Sequence, residues 1–373
     1  MRVLIVSESF LPQVNGVANS VRHVADHLVR TGHDVRVVAP GPGPERHGDV
    51  PVVRVRSVGL PGYRSFPLGL PDAAVERAVA DFRPDVVHLA SPIVVGAAGL
   101  RSALRHGVPT VAVYQTDVAG FSRQYGVRVE SLIERWVARI HRRADRTLVP
   151  STTSLHQLEE MGAPDLHVWR RGVSLDLFGP DRRDDDLHAS WAGPDDDVVV
   201  GYVGRLAPEK QVRRLVELAD VPGTRLVVVG DGPEREWLER RLPGAVFTGQ
   251  LGGVELARTF ASLDVFVHPG TRETFCQTVQ EAQASGAAVV AAAAGGPLDL
   301  VEHGRTGLLF DPADQLSLRR AVVAAVRDHD LRDRLAAYAR TEVQSRTWAS
   351  LVDELVDHYL AVLPSSGAQR AIA

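Results

Sequence analysis

The sequence predicts an α/β protein of two doubly wound parallel sheets, each carried by its own domain. Three observations lead there. Short β-branched runs alternate with helix-like segments along nearly the whole chain, as parallel strands and crossover helices do. Several runs, such as Val3-Leu4-Ile5-Val6, are apolar throughout instead of alternating, so both of their faces must be covered. At 373 residues the chain also exceeds what one hydrophobic core comfortably holds.

In the first half, strands are predicted near residues 3–9, 34–40, 52–57, 85–90, 110–116 and 147–151. In the second half they fall near 198–205, 225–231, 246–250, 265–269, 289–294 and 307–310. Between the halves, Gly179-Pro180-Asp181 through Gly193-Pro194-Asp195-Asp196-Asp197 is rich in Asp, Pro and Gly and reads as a linker or exposed loop. The predicted division is a first domain over 1–175, a linker over 176–197 and a second domain over 198–345. A last helix at 346–363 follows the completed second sheet and is expected to pack back toward the first domain. The tail, 364–373, is expected to be disordered. Two such sheets facing each other would set their strand C-termini across a central cleft, where ligands of doubly wound sheets bind.

Composition narrows the class. A hydrophobic fraction of 45% with 24% charge suits a soluble globular enzyme, and a formal net charge of −4 argues against nucleic acid as the main partner. No apolar run is long enough to cross a bilayer, and Met1-Arg2-Val3 leads straight into a strand, so the expected location is the cytoplasm. Cys276, the single cysteine, excludes an internal disulfide and a cysteine-only metal cage. No Gly-x-Gly-x-x-Gly follows the first strand, and Gly230-Asp231-Gly232-Pro233 is only half of that fingerprint, which weakens a dehydrogenase reading.

Two strand-to-helix junctions carry the chemistry. Gly204-Arg205-Leu206-Ala207-Pro208-Glu209-Lys210 offers a guanidinium and an ammonium, donors suited to a diphosphate as charge develops on it. The bare residues also allow a plain surface Arg and Lys beside Glu209. Downstream, Glu273-Thr274-Phe275-Cys276-Gln277-Thr278-Val279-Gln280-Glu281 follows a strand and opens a helix. Glu281 can accept ribose hydroxyls, each such charged bond worth about 1.5–3 kcal/mol. Glu273 can reach a sugar ring, or can simply favour the helix dipole. The backbone N–H groups of Phe275 and Cys276 can bind sugar hydroxyls or phosphate oxygens at a helix start. Together the junctions describe a nucleotide-sugar site.

Pro12-x3-Gly16, Gly204-Arg205 with Lys210, Gly230-Asp231-Gly232-Pro233, Glu273-x7-Glu281 and Gly295-Gly296, in this order, resemble family 4 of the retaining GT-B glycosyltransferases. The resemblance covers nearly the whole chain. Tyr114-Gln115-Thr116-Asp117 and Thr274-Phe275-Cys276-Gln277 look most like actinobacterial GDP-mannose-dependent α-mannosyltransferases that build glycolipids. It implies a GT-B fold of two Rossmann-like domains and hexosyl transfer from a nucleotide sugar. It also implies Arg205, Lys210 and Glu273 as catalytic residues, with no metal or other cofactor required. Donor contacts are implied at Gly16, Arg205, Lys210, Leu251, Glu273, Thr274, Phe275, Cys276 and Glu281. Gly16 would let the backbone approach a phosphate, and Leu251 is where the family lays the base; a turn glycine and an ordinary packing residue are the alternatives.

This chain departs from the pattern at two places. Cys276 replaces a glycine common in the family, and without a base partner it reads as a small, inert residue. Gln115 occupies the position where many relatives carry a sugar-contacting histidine. Glutamine cannot exchange a proton, although it can donate and accept hydrogen bonds. Either Asp117 takes over a charged role, or the departing phosphate oxygen itself helps deprotonate the acceptor hydroxyl.

The best specific expectation is α-mannosyl transfer from GDP-mannose to a lipid-anchored glycan. A UDP-sugar enzyme with a soluble acceptor, a nucleotide-sugar 2-epimerase and a non-catalytic binder stand as alternatives. Residues 131–146 place Leu132, Ile133, Trp136, Val137 and Ile140 on one helical face, and Arg135, Arg139, Arg142, Arg143 and Arg146 on another. Such a helix can rest on an anionic membrane surface, or pack as a domain helix with a solvated Arg stripe. Asp184-Asp185-Asp186 and Asp195-Asp196-Asp197 contain Asp-x-Asp but read as solvated charge, and His88, His106 and His268 show no metal-ligand spacing.

Overall fold

The computed structural model describes residues 1–13, 15–60, 63–70, 72–115, 127–194 and 198–364, with the side chains of 60, 63–67 and 127–130 left aside. Asp117, Asp195-Asp196-Asp197 and all but the first residue of the expected tail lie outside the described residues.

The chain divides into two units. One holds Met1–Arg171 together with the residues from Trp348 onward, and the other holds Gly172–Thr347. In the first unit the strands are β1 (Arg2–Ser7), β2 (Asp34–Pro40), β3 (Arg46–His47), β4 (Val50–Val55), β5 (Ser57–Leu60), β6 (Tyr63–Gly69), β7 (Val86–Ala90), β8 (Thr110–Val113), β9 (Arg146–Val149) and β10 (Leu166–Val168). Their main sheet runs β10-β9-β8-β7-β1-β2-β4-β3, parallel except for the short β3–β4 pair. Residues Val3 to Val6 of β1 are fully buried, as a central strand covered on both faces requires. The winding reverses at β1, which lies between β7 and β2. Helix α1 (Gly16–Arg30) starts where the Asn15 side chain accepts from the N–H groups of Val17 and Ala18.

The second unit is a doubly wound sheet of the same kind. Strands β11 (Val198–Val203), β12 (Thr224–Val229), β13 (Val246–Gly249), β14 (Val265–His268), β15 (Ala288–Ala292) and β16 (Leu308–Phe310) are ordered β13-β12-β11-β14-β15-β16. All are parallel. Here the reversal falls between β11 and β14, so the loops leaving those two strands diverge from neighbouring strand ends and open the crevice in which such sheets hold ligands.

Residues 176–197 are not a free linker. A 3-10 turn at Pro180–Arg182 and a helix at Asp185–Ala192 lie on the second sheet, and Phe178, Trp191 and Ala192 join its core beside Val199 and Phe260. Asp184 caps that helix through Leu187 N–H, which explains the acidic run as capping and first-turn charge. A second difference concerns 57–69, where Gly and Pro content favours a loop on local chemistry alone, yet the β5–β6 hairpin forms. The amphipathic segment is a third. Its helix is Val127–His141, so Arg142 and Arg143 follow the helix and Arg146 opens β9, paired with Asp165.

The helix Trp348–Val362 buries Leu351, Val352, Leu355 and Tyr359 among Val3, Ile5 and Leu28 of the first unit. Trp169 Nε1 donates to Leu351 O at 2.7 Å, and the Tyr359 hydroxyl shares a 2.6 Å hydrogen bond with His88 Nδ1. Burial pushes His88 down to about 3, so the imidazole is neutral and depends on that phenol for satisfaction. Tyr359→Phe is expected to strand His88 Nδ1 in the core and to destabilise the protein by about 1–3 kcal/mol. Urea unfolding midpoints measured on both proteins check this, and coincident curves would refute it.

Candidate active site

The reversal in the second sheet explains why two motifs far apart in sequence meet. Beyond β11 the chain passes through Gly204 and Arg205 into a 3-10 turn at Pro208–Lys210; beyond β14 it passes through Gly270 into the Glu273 loop. Lys210 Nζ donates to Glu273 Oε1 at 2.6 Å, and His268 Nε2 lies 3.1 Å from the same oxygen. The Arg205 guanidinium bonds Glu209 and lies within electrostatic reach of Glu273. Among the predicted residues, Arg205, Lys210 and Glu273 are thus brought together.

Burial alone would raise the Glu273 pKa. The Lys210 ammonium and the His268 ring outweigh it and hold this carboxyl well below the usual carboxylate range. Lys210 shows the reciprocal effect, with burial lowering its pKa and Glu273 raising it to a net increase. For His268, burial is again opposed, here by the Cys276 sulfur and the Glu273 carboxylate, and its pKa rises to about 9.

Both loops are braced by backbone. Leu206 N–H donates to Asp231 O and Glu234 N–H donates to Leu206 O, each at 2.9 Å, so the Gly-Asp-Gly-Pro turn supports the Arg205 loop. On the other side, Gly296 N–H donates to Glu273 O at 2.7 Å. A Cβ on Gly296 would fall 2.2 Å from Phe275 O, and one on Gly295 would fall 2.6 Å from Glu273 O. Only paired glycines let the backbone come so close.

Helix α2 (Gln277–Ser285) starts after Cys276, whose backbone is left-handed at φ 79°. The buried Cys276 sulfur therefore faces the Glu273 loop and does not sit on the helix. His268, Glu273 and Cys276 each place one potential ligand atom within 4.8 Å of the others. Sequence spacing misses this grouping, because His268 belongs to a strand end and the loop must fold back to meet it. Phe275 puts its side chain into the core, which leaves its backbone alone for ligand contact, and Leu251 packs against the same core. Thr274 is half-buried in the Glu273 loop.

Glu281 stands apart from the Lys210–Glu273 pair, in the second turn of α2. Part of its surface reaches solvent, yet the packed atoms around it desolvate the carboxyl and push its pKa up to about 8, against a bond from Gln277. Gln277 also donates through Nε2 to Gly172 O at 3.0 Å.

The first unit gathers Gly16, Gln115 and Arg171. Arg171 Nη2 donates to Gln115 Oε1 at 3.1 Å, and a Cβ on Gly16 would lie 2.6 Å from Arg171 Nη1. A side chain at Gly16 would therefore have to displace the Arg171 guanidinium from beside Gln115. Arg171, only 8% exposed, escapes sequence reasoning because nothing in Trp169-Arg170-Arg171-Gly172 signals burial.

Comparison with known proteins gives the family. Residues 14–177 match the family model for Glycosyltransferase Family 4, and residues 183–342 match that for Glycosyl transferases group 1. The chain is 51% identical to a GDP-mannose-dependent alpha-mannosyltransferase of Mycolicibacterium smegmatis, over 97% of this chain and 98% of that one. The chain belongs to glycosyltransferase family 4. Another relative, a GDP-mannose-dependent alpha-mannosyltransferase of Corynebacterium glutamicum, is 44% identical over 98% of this chain and 90% of its own length. Among solved structures, a sucrose-phosphate synthase from Thermosynechococcus elongatus aligns at a TM-score of 0.80, covering 96% of this chain and 98% of that one at 20% identity. That likeness speaks for the fold, which is GT-B.

In this glycosyltransferase the Glu281 shift has a consequence for stability. The folded-state value near 8 lies above the ordinary 4.5, so folding takes up a proton between those limits. The group's contribution is fully present below 4.5 and is lost as pH rises through about 8. Glu281→Gln is expected to remove that loss, so the difference between variant and parent urea midpoints should widen from pH 5 to pH 8.5. A constant difference across that range would refute the assignment.

Proposed function

We propose that the protein transfers mannose from GDP-mannose, with retention of anomeric configuration, to a hydroxyl of a lipid-anchored glycan at the inner membrane face. The observation that carries this reading is the Lys210–Glu273 pair beside Arg205, at the reversal of the second sheet. The similarity to the mannosyltransferases named above supports the choice of sugar and nucleotide.

Breaking the bond between the sugar's anomeric carbon and the phosphate oxygen leaves negative charge on the diphosphate. Arg205 and Lys210 supply fixed positive charge where it accumulates. Glu273 is already ionised and held by Lys210 and His268, so near neutral pH it accepts hydrogen bonds from sugar hydroxyls and donates no proton. Gln115 carries no transferable proton either. The departing phosphate oxygen then takes the acceptor hydroxyl's proton, while the acceptor oxygen bonds the anomeric carbon from the same face, and configuration is kept. Two cationic side chains serve the diphosphate, and this reading requires no metal. Glu281 accepts the ribose hydroxyls and Leu251 lies against the base.

The membrane part rests on the helix Val127–His141. Leu132 is 64% exposed and Trp136 42% exposed, next to exposed Arg135 and Arg139, with Arg142 and Arg143 just beyond. Apolar side chains flanked by arginines suit an anionic lipid surface. No helix among the described residues is long and apolar enough to cross a membrane.

With the intact protein and GDP-mannose, GDP should compete with the donor at least about tenfold more tightly than UDP, a difference of about 1.4 kcal/mol. Product analysis by NMR should show the α anomer. Tighter inhibition by UDP, or an inverted product, would overturn the reading. Sedimentation with phosphatidylglycerol vesicles should show binding that weakens as salt rises from about 50 to about 500 mM. The triple variant Trp136→Ala, Arg135→Gln, Arg139→Gln should lose that binding; equal binding by both proteins would refute the membrane surface.

A further inference from the structure

We propose that His268, Glu273 and Cys276 form a binding site for one borderline-soft divalent cation of the Zn²⁺ type, whose occupancy withdraws Glu273 from the sugar donor. The three residues come from one short segment. His268 closes β14, Glu273 lies in the following loop and Cys276 precedes α2. Their nearest ligand atoms all fall within 4.8 Å of one another. Around a tetrahedral zinc with bonds of about 2.0–2.3 Å, ligand atoms lie roughly 3.3–3.8 Å apart, so closure needs side-chain adjustment on the order of 1 Å.

Two further observations point the same way. His268 is 2% exposed and Cys276 5% exposed, so the donors are withheld from bulk water. His268 Nδ1 is buried with no hydrogen-bond partner among the described residues, while Nε2 faces Glu273. A buried orphan of this kind calls for an explanation. Cys276 also holds a left-handed φ of 79°, which is unfavourable for a residue with a Cβ, and there its sulfur turns toward the imidazole and carboxylate.

Sulfur with imidazole selects zinc-like ions over Mg²⁺ and Ca²⁺, which prefer oxygen donors. Binding expels the Cys276 thiol proton and the proton that His268, with its pKa raised to about 9, carries near neutral pH, and it leaves a fourth position for water. It also opposes Lys210, whose ammonium stands 2.6 Å from Glu273 Oε1. The carboxylate cannot serve both cations at full strength, so ion and donor compete. That competition rests on the reading of Glu273 as a donor residue; the binding itself does not.

The test titrates Zn²⁺ alone into the intact protein against a chromophoric chelator and repeats the titration with Co²⁺. One equivalent should bind, and Co²⁺ should give a near-ultraviolet thiolate-to-metal charge-transfer band. Cys276→Gly, which relaxes the left-handed backbone, and His268→Gln should each weaken binding by at least the roughly 10–100-fold that loss of a ligand's supporting partner costs. In the parent, one equivalent of Zn²⁺ should suppress transfer, and excess GDP-mannose should relieve it. Absence of binding, absence of the cobalt band, or equal affinity in Cys276→Gly overturns the site. Bound Zn²⁺ with undiminished turnover overturns the competition. A protein with no transfer activity before Zn²⁺ is added counts against the proposed function, and the chelator titration still decides the site.

Discussion

A carboxylate removed from water at the end of a parallel sheet has to be paired, and the pairing of Glu273 organises everything around it. Lys210 and His268 both converge on Oε1, and together they reverse the effect of burial on its proton affinity. Removing one partner from such a pair leaves an uncompensated buried charge, a loss of about 3–5 kcal/mol. Lys210 and the Glu273 loop are therefore held in register, with Gly295 and Gly296 fixing the loop from behind. The Lys210 ammonium is thus in place before any ligand arrives.

The first sheet solves a related problem at its own reversal. Glu8 leaves β1 and accepts from the N–H groups of Ile93, Val94 and Gly96 through Oε1 at 2.7, 2.7 and 2.9 Å. Burial raises its pKa against the pull of those backbone donors. With backbone N–H groups and no cation beside it among the described residues, this acid works as a clamp on the loop after β7. Sheet reversals create sites because strand ends leave unpaired groups there, and the partner supplied determines whether an acid becomes structural or chemical.

Most of the architecture could be read directly from sequence, because apolar strands separated by crossover helices leave a strong periodic trace. Each of the twelve strands expected from sequence coincides with one observed. The hairpin of β5 and β6 was hidden by Gly59, Pro61, Gly62 and Pro67, residues that signal loops when local chemistry alone is judged. Residues 180–192 were hidden for the opposite reason. Their Asp, Pro and Gly content masks a helix whose Trp191 is 7% exposed and whose packing is tertiary. At the site, residues carried by a compact motif, Arg205, Lys210 and Glu273, were visible. His268, recruited by folding, was not, since it joins Glu273 and Cys276 only through a loop that folds back; in the first unit, Arg171 and Glu8 were hidden for a like reason, each finding its partners far away in sequence.

Glu273 and Glu281 show the same limit within one motif. Sequence presents two equivalent carboxylates eight positions apart, yet the fold sends their proton affinities in opposite directions. Glu273 meets an ammonium and an imidazole, whereas Glu281 meets packed atoms and one glutamine amide. Environment therefore divides their roles, as it does wherever paired acids have separate tasks. An ionised Glu273 can hold Lys210 and His268 as cations beside it without exchanging protons. For Glu281 to accept ribose hydroxyls as an anion, as proposed, it must first give up a proton. On the proposed reading, capture of the nucleotide is thereby coupled to pH, while the electrostatics around the bond being broken are not.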